Sequence, residues 1–397
     1  MITQKPHLRV YMMDLLAIVP YYTAYLSRAL QQQRVDVEVG SITYYLDLNC
    51  FSSRGLKLRP GLLNLVGRFP ALPASFRRGT KLIETIINLF ALSARFLFNP
   101  PDVLHVQFLG MMRFPIAMDR LFVRLAQWRG VRVVLTVHDI LPHDTGNELH
   151  ARYAALYAFV DRLICHSEHI RKRLSEEFGV SEQKVDVIPH GPFFYDVPTG
   201  DDGDLRQRYG ILPGQKIVLW QGILLPYKGL DVLLDAWNVV EADDESSILL
   251  VVGTGATELV HSMREKAEQL KLKRVIFDFR FVSTQALVEL YRAASVVVYP
   301  YRAITTSGAL ATGLALGKAI IASDLPVFRE LLSDEEDALL VMPGDPEALG
   351  GAALRLLSED ETRKMLSSNV ARKNFGTKSW EAIAVDTEKV YEKVLRQ

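Results

Sequence analysis

The chain has 397 residues, of which 49% are apolar and 23% charged, and its formal net charge is zero. This length leaves room for two to three domains that each bury a core, and the composition excludes disordered, fibrous and small disulfide-stapled proteins. The two cysteines favour a reducing compartment. Asp14 interrupts the first apolar run too early for a signal peptide, and no stretch reaches the ~18 apolar residues of a spanning helix. We therefore expect a cytoplasmic protein.

Short apolar, β-branched runs alternate with helical patterns along nearly the whole chain, which predicts parallel strands joined by crossover helices. In the first half the predicted strands are Leu8–Met13, Val35–Val39, Val103–Gln107, Val131–Val137, Arg162–Cys165 and Val185–Ile188. In the second half they are Lys216–Trp220, Ile248–Val252, Val275–Phe277, Ser295–Tyr299 and Ala319–Ala322. Between the halves, the segment from Pro189 to Asp204 is rich in Pro, Gly and Asp and is typical of a linker. The sequence therefore predicts an α/β protein of two doubly wound units, with the boundary near Gly191.

The stretch between Asp47 and Glu84 is basic and apolar, with seven cations, no acid, and phenylalanines and leucines among them. Residues 1–195 hold 23 Lys and Arg against 16 Asp and Glu, so the rest of the chain is acidic. Such a stretch is either a solvated loop or a surface for anionic lipid head groups or phosphates. Nucleic acid is disfavoured because no nucleic-acid motif accompanies the cations.

The predicted strand that ends at Val137 runs into a loop with two His-Asp pairs, His138-Asp139 and His143-Asp144. Four titratable residues at the carboxyl end of a strand suit acid/base chemistry or metal binding. Zinc is disfavoured because no cysteine lies nearby and no helix carries a paired-histidine motif. His190, in a Pro-His-Gly tripeptide at the predicted boundary, is a further candidate for ligand contact.

Two glycine-containing turns follow strands in the second half. Gly222 ends one strand, and Lys228 precedes the next predicted helix, where it is placed to reach a phosphate, although an isolated lysine is often merely solvated. Gly253 lies in the second turn, but Glu258 stands where a dinucleotide fingerprint has its third glycine. We interpret this second feature as a tight strand-to-helix turn.

A third turn opens a helix at Ser307. Ser307 is a candidate N-cap, Gly308 permits close approach of a ligand, and the amides that follow point outward at the positive end of the helix dipole. The residues alone favour an anion site and an ordinary capped helix with a small-residue packing face about equally.

Together and in this order, the segments resemble the retaining glycosyltransferases of the GT-B fold, close to family 4. The resemblance rests on TVHDILPH, RLICHSEHIRKRLSEEFGV, VDVIPHG, ILLPYKGLDVLLDAW, SGALATGLALGKAIIASDLPVFREL, VMPGDPEAL and a final SWEAIAVDTEKVYEKVL helix. It implies two facing Rossmann-like domains with a cleft between them. Residues 1–191 would form the N-terminal acceptor-binding domain, 192–375 the C-terminal nucleotide-sugar-binding domain, and 376–397 a helix that crosses back to the N-terminal domain.

The resemblance implies transfer of a sugar, with retention, from a UDP- or GDP-sugar to an acceptor hydroxyl, with no cofactor and no required metal. His138 falls on the histidine that touches the transferred sugar, Lys228 on the donor-phosphate lysine, and Ser307 on the start of the amides that cradle the pyrophosphate. The donor-binding candidates are Gly222, Lys228, Gly253, Arg302, Thr305, Thr306, Ser307, Gly308, Ala309 and Thr312. The catalytic candidates are His138 and Asp139, and those on the acceptor side or hinge are His143, His190, Arg77 and Arg78.

This sequence departs from the family pattern in two places. The family's arginine shortly before the lysine is missing, and Ile223 and Leu225 hold its places. Its two glutamates eight positions apart are also missing, the second being replaced by Thr312. We expect Arg302 to replace the cation, and Thr305 or Thr306 the polar contact.

The basic, apolar stretch favours a lipid-linked or saccharide acceptor in cell-surface polysaccharide biosynthesis, reached at the inner face of the plasma membrane. Two alternatives stay open. One is a catalytically impaired glycosyltransferase-like partner subunit, which the missing Arg and Glu residues favour and the retained His138 and Lys228 oppose. The other is an inverting GT-B transferase or a nucleotide-sugar epimerase with His138 or Asp139 as general base.

Overall fold

The computed structural model describes residues 8–42, 47–58, 62–65, 73–114, 116–142, 147–197, 203–373 and 379–397. The chain divides into two compact units. Unit 1 comprises Met1–Gly191 together with Gly376–Gln397, and unit 2 comprises Pro192–Phe375.

Unit 1 is built on a six-stranded sheet in the order β2-β1-β3-β4-β5-β6, in which every pair is parallel. Its strands are β1 (Arg9–Met13), β2 (Asp36–Gly40), β3 (Val103–Val106), β4 (Arg132–Thr136), β5 (Arg162–Cys165) and β6 (Val185–Val187). The central strands are buried along their whole length, because helices cover both faces of a parallel sheet.

Helices connect these strands. They are α1 (Pro20–Gln32), α2 (Ala74–Phe98), α3 (Met118–Trp128), α4 (His150–Phe159) and α5 (Glu168–Phe178). Where they begin follows local chemistry: Pro20 occupies the first turn of α1, and the Ser167 side chain accepts a hydrogen bond from the Ile170 amide at the start of α5.

Unit 2 repeats the plan with a parallel sheet in the order β12-β11-β10-β7-β8-β9. Its strands are β7 (Ile217–Gln221), β8 (Ile248–Val252), β9 (Val275–Asp278), β10 (Val296–Tyr299), β11 (Ala319–Ser323) and β12 (Leu339–Val341). Its helices are α6 (Gly203–Tyr209), α7 (Leu230–Asp243), α8 (Thr257–Gln269), α9 (Thr284–Ala293), α10 (Gly308–Ala315), α11 (Pro326–Arg329), α12 (Pro346–Ser358) and α13 (Asp360–Arg372).

The last helix, α14 (Trp380–Leu395), packs in unit 1 although it follows unit 2 in the chain. Ser379 caps it by accepting from the Ala382 amide at 3.2 Å. The Trp380 ring stacks on the Tyr25 ring of α1, with centroids 5.4 Å apart and planes 10° apart. The structure therefore places the end of the chain in the core of unit 1.

The α/β architecture of two doubly wound parallel sheets confirms the predicted fold class. The predicted strands lie within one or two residues of the observed ones. Strand β12 was not predicted, because three residues at a sheet edge carry too little periodicity to distinguish them from a loop. The segment interpreted as a linker is also partly packed, since Phe194 is buried.

Candidate functional sites

His138 lies in unit 1 two residues beyond the end of β4 and is buried. Its Nε2 lies 3.0 Å from Oε1 of Gln107, which follows β3, and the Gln107 amide nitrogen donates to the Met12 sulfur at 2.9 Å. This second contact fixes the amide with its oxygen toward the imidazole. His138 therefore carries a proton on Nε2 and donates it to Gln107.

The other nitrogen of His138 faces a second histidine. Nδ1 of His138 lies 3.4 Å from Nε2 of His166, whose own Nδ1 donates to the Ile188 carbonyl at 2.9 Å. Burial lowers the pKa of His138 well below its usual range and that of His166 to about 4. Both imidazoles are therefore neutral at pH 7. With their protons on Nε2 of His138 and Nδ1 of His166, the two nitrogens that face each other are both unprotonated, so the rings are in contact without a hydrogen bond between them.

Aromatic rings surround this pair. The Tyr22 ring meets His138 edge-on at 4.6 Å and His190 at 5.2 Å, and Trp380 lies 5.2 Å from Tyr22. Burial and the neighbouring imidazole of His166 lower the pKa of His190 to about 3. The carboxyl ends of β4, β5 and β6 thus bring His138, His166 and His190 together around Tyr22, as expected for neighbouring parallel strands.

Gly191 completes the Pro-His-Gly tripeptide beneath Trp380. A β-carbon at this position would lie 2.5 Å from Cε2 of the Trp380 indole, closer than such atoms approach. The tripeptide therefore needs glycine for the close approach of the buried ring on α14.

Asp14, between β1 and α1, is also buried. Its carboxylate accepts from the amides of Ile18 at 2.9 Å and Val19 at 3.0 Å, just before α1 begins. Burial raises its pKa to about 6, although these hydrogen bonds oppose the rise. Asp14 thus fixes the β1–α1 loop.

The remaining sequence-predicted residues of unit 1 are less informative. Asp139 is half-buried beside His138, and Arg77 is half-buried in the first turn of α2. His143 and the Arg78 side chain lie outside the described residues. Within the parts of the chain that are described, no three His, Cys, Asp or Glu side chains are grouped so as to hold a metal ion.

In unit 2, Lys228 lies over the end of β7. Its ammonium nitrogen would lie 2.8 Å from a β-carbon at Gly222, and a β-carbon at Gly253 would overlap the Gly222 carbonyl oxygen. Glycine at both positions therefore lets the ends of β7 and β8 approach each other beneath the lysine. The two glycines predicted as separate turns form one close contact.

Tyr301 links Lys228 to the start of α10. The Lys228 ammonium lies 5.7 Å from the centre of the Tyr301 ring. Burial raises the pKa of the Tyr301 phenol, and the nearby Ser307 hydroxyl partly opposes the rise. Among the residues that the structure describes, the buried Tyr301 hydroxyl makes no hydrogen bond of normal geometry. Lys228, Tyr301 and Ser307 are therefore neighbours, and a buried donor is available among them.

Helix α10 begins as predicted, with the Ser307 side chain accepting from the Leu310 amide at 3.1 Å. The carbonyl of Ala309 accepts from the hydroxyls of Tyr291 and Tyr299 at 3.2 and 2.8 Å. The hydroxyl of Thr312 donates to the Gly308 carbonyl within the helix, at 2.8 Å, and is buried. Thr312 therefore supports the helix backbone, and the donor contact expected of it stays a prediction.

Arg302 is likewise engaged inside unit 2. Its guanidinium donates to both oxygens of Asp231, at 2.8 and 2.6 Å, and to the Pro226 carbonyl at 2.9 Å, while its amide donates to the Tyr227 carbonyl at 2.7 Å. These bonds hold the turn Pro226–Lys228. Arg302 thus contacts the lysine's turn, and its contact with a donor phosphate stays a prediction.

Two threonines precede the cap of α10. Thr305 is buried and Thr306 is half-buried.

Sequence reasoning missed Gln107, Asp231 and Tyr301, because each contributes through partners distant in the chain and none belongs to a local motif. For Gln107, its position directly after a buried strand was the available signal.

Two family models match the chain. Residues 19–191 match Glycosyltransferase Family 4, and residues 201–373 match Glycosyl transferases group 1. The two matches together span most of both units.

Two curated relatives are also named as glycosyltransferases. An uncharacterized glycosyltransferase of Methanocaldococcus jannaschii is 24% identical over 253 residues, 62% of this chain and 64% of the relative. A D-inositol 3-phosphate glycosyltransferase of Segniliparus rotundus is 27% identical over 244 residues, 61% of this chain and 54% of the relative. The matched region thus spans between about half and two thirds of these relatives.

A solved structure has the same fold. The Anabaena protein HepE, solved in complex with UDP and glucose, superposes with a TM-score of 0.76 at 15% identity, over 98% of this chain and all of that one. With both family models and this fold in agreement, the chain belongs to the group 1 glycosyltransferases of the GT-B fold.

Proposed function

We propose that the protein transfers a sugar from a nucleotide-sugar donor to an acceptor hydroxyl, with retention of the anomeric configuration. The observation that carries the proposal is the grouping of Lys228, Tyr301 and the capped start of α10 at the carboxyl edge of the unit 2 sheet. Ligands of open α/β sheets bind at this edge.

The chemistry suits a departing nucleoside diphosphate. As the sugar leaves, negative charge builds on the diphosphate, and Lys228 supplies a cation while the first amides of α10 supply donors at the positive end of a helix dipole. Because Ser307, Gly308 and Ala309 open this helix, their amides are the ones we assign to the phosphates. The binding of UDP by the Anabaena protein supports a nucleotide donor.

We keep His138 as the residue that touches the transferred sugar, as the resemblance implies, and Asp139 as the second catalytic candidate. In the structure Nε2 of His138 donates to Gln107, so a hydrogen bond from it to a sugar hydroxyl requires the imidazole to exchange that partner, and the neutral ring then adds no charge. The proposed reaction needs no metal ion, which predicts that transfer survives treatment with EDTA.

The acceptor that we propose is a lipid-linked or saccharide hydroxyl used in building cell-surface polysaccharide, with an anionic membrane surface as the place of reaction. The cationic character of residues 1–195 supports it. The part of the chain that the structure describes holds no helix with both the length and the apolarity to cross a bilayer.

Thermal-shift and calorimetric titrations with UDP, GDP, UDP-glucose and GDP-mannose test the donor site. A nucleotide at 100 times its Kd stabilises a protein by ~2.7 kcal/mol. We expect Lys228→Ala to weaken nucleotide binding roughly tenfold to a hundredfold, because a charged hydrogen bond is lost. The exposed Lys273 in the same unit provides the matched control, Lys273→Ala. Binding that is absent in the wild-type protein, or equal in both variants, would contradict the proposal.

A second candidate is a catalytically impaired partner subunit. The engagement of Arg302 by Asp231 and of Thr312 by its own helix favours it, since neither then stands in for the missing family residues. Transfer and donor hydrolysis by the wild-type protein, beside His138→Ala, separate the two candidates. Nucleotide binding without turnover in either protein would identify the impaired subunit, and the anomeric configuration of any product decides between retention and inversion.

A further inference from the structure

Helix α2 exposes an apolar face over its whole length. Its exposed large side chains are Phe76, Ile83, Ile87, Phe90, Leu97 and Phe98, with exposed fractions between 39% and 87%. On an ideal helix of 3.6 residues per turn these positions fall within an arc of about 100°. They therefore form one stripe about six turns long.

This stripe is not the side that packs on the unit 1 core. Leu89, Leu92 and Phe96 are buried, and they lie on the opposite side of α2. The helix is thus apolar on both sides, and only one side has a partner among the described residues. A helix at the surface of a soluble domain normally presents polar residues outward, so the stripe indicates a docking surface.

Helix α3 extends the stripe. Phe96 of α2 meets Phe122 of α3 at 5.0 Å between ring centroids, so the two helices are neighbours. The right-handed crossovers β2–α2–β3 and β3–α3–β4 run in the same direction across the sheet and place both helices on the same side of it. Leu121 and Trp128 of α3 are 55% and 74% exposed. We call the exposed residues of these two helices the α2–α3 face.

The charges near the α2–α3 face have one sign. Residues 74–98 and 118–129 contain two acids, Glu84 and Asp119, and both are buried. Arg124 and Arg129 are exposed on or directly after α3, and Arg129 lies 5.8 Å from the Trp128 ring. Glu38, which accepts two hydrogen bonds from Arg95, is neutralised by that pair. The face therefore presents aromatic and aliphatic side chains bordered by cations.

We propose that the α2–α3 face docks on an anionic lipid bilayer. Phe, Leu, Ile and Trp enter the boundary between head groups and acyl chains, and Arg124 and Arg129 meet the anionic head groups. A second copy of the chain is the less suitable occupant, because a symmetric interface sets the same patch against itself and brings these cations together.

This surface differs from the one the sequence favoured. In the basic stretch, Phe51 is buried and Arg54 lies 4.3 Å from the centre of the Tyr25 ring, so neither faces a bilayer. Residues 59–61 and 66–72 lie outside the described part. The docking proposal deepens the acceptor part of the proposed function. It rests on that function in one respect: docking on the bilayer would bring the protein to a lipid-linked acceptor.

Flotation of the full-length protein with vesicles tests the α2–α3 face without any nucleotide. The vesicles are phosphatidylcholine with and without phosphatidylglycerol, at low and high salt. We expect the wild-type protein to float with anionic vesicles and salt to reduce this. The double variants Ile83→Ser/Phe90→Ser and Arg124→Glu/Arg129→Glu should each lower the partition coefficient by roughly tenfold or more.

Matched controls lie on unit 2. Leu212→Ser/Met342→Ser removes two apolar side chains that are 64% and 67% exposed, and Arg208→Glu reverses an exposed cation. These controls should bind vesicles as the wild-type protein does, and thermal melts confirm that all variants fold. Absent wild-type binding, equal binding by all variants, or a wild-type dimer that Ile83→Ser/Phe90→Ser converts to a monomer would each overturn the proposal. UDP binding is measured separately, so the donor-site proposal stands or fails independently.

Discussion

Arg302 binds both carboxylate oxygens of Asp231 across 71 residues of sequence, and the same guanidinium donates to the Pro226 carbonyl. The pair thereby links the segment that follows β10 to the turn that ends at Lys228. Arg302 thus belongs to the candidate site through the lysine it positions.

This arrangement predicts that Asp231→Asn and Arg302→Gln weaken nucleotide binding alike, each by up to roughly fivefold, because either change loosens the same half-exposed pair. Isothermal titration with UDP measures the effect. If Arg302 instead contacts the phosphates directly, Asp231→Asn frees its guanidinium, and binding then stays equal or becomes tighter while Arg302→Gln weakens it.

The buried hydroxyl of Tyr301 gives a second prediction. Since it makes no hydrogen bond of normal geometry in the described structure, Tyr301→Phe should leave the free energy of unfolding unchanged or raise it by up to ~1 kcal/mol. If the hydroxyl is kept for the donor, the same variant weakens UDP binding by roughly fivefold.

Tyr299 is the control for Tyr301. Its hydroxyl donates to the Ala309 carbonyl at 2.8 Å, so Tyr299→Phe should cost ~1 kcal/mol of unfolding free energy. Denaturant titration of both variants checks the contrast. A loss of stability in Tyr301→Phe with unchanged UDP affinity would show that the Tyr301 hydroxyl is structural.

Gln107 is predicted to tune His138. In Gln107→Glu a carboxylate would face Nε2 of His138 and favour the imidazolium, which raises the pKa of His138. If neutral His138 is needed for transfer, the acid limb of the pH–rate profile should move to higher pH. The double variant Gln107→Glu/His138→Gln should not show this shift. If Gln107→Glu leaves the pH–rate profile unchanged, Gln107 does not control the protonation of His138.

Buried histidines predict an acid-sensitive unit 1. Burial lowers the pKa of His105 to about 3, of His166 to about 4 and of His190 to about 3, from a usual value of 6.5. As the pH falls below 6.5, the unfolded chain binds protons that the folded protein does not, so the free energy of unfolding falls. Asp14 and Asp119 oppose this, because burial raises their pKa values to about 6 and the folded protein binds their protons first.

Replacing one histidine isolates its contribution. We expect His105→Gln to reduce the slope of unfolding free energy against pH by ~1.4 kcal/mol per pH unit between about pH 6 and pH 4.5. Urea titrations across this range measure the slope. A slope in His105→Gln equal to that of the wild-type protein would refute the assignment to His105.

Gly191 predicts a steric cost. Gly191→Ala places a methyl group against the buried Trp380 ring and should destabilise the protein by ~1–3 kcal/mol. Gly351→Ala, in α12, meets no heavy atom within 4 Å and should stabilise by ~0.5–1 kcal/mol through helix propensity. Thermal melts of the two variants compare a packed glycine with a solvated one.

The sequence predicted well where the information is local. Buried strands such as Ile248–Val252 are runs of β-branched and aliphatic residues, and the Ser307 cap depends on its own next few residues. Partners far apart in the chain could not be predicted: Arg302 looked available for phosphate until the fold brought Asp231 to it. The exposure of one side of α2 could also not be predicted from the sequence. A helix that is apolar on both sides shows the same pattern of apolar residues whether both sides are buried or only one is.

Helix α14 gives the protein an order of assembly. Its Tyr391 hydroxyl lies 2.6 Å from Nδ1 of His105 on β3, and its Trp380 lies against Gly191, yet the ribosome makes both only after all of unit 2. Unit 2 is continuous in sequence and is complete while unit 1 still lacks one helix. The histidines around Tyr22 therefore become buried and neutral only after α14 has been synthesised, and a chain cut short before Trp380 leaves them open to water.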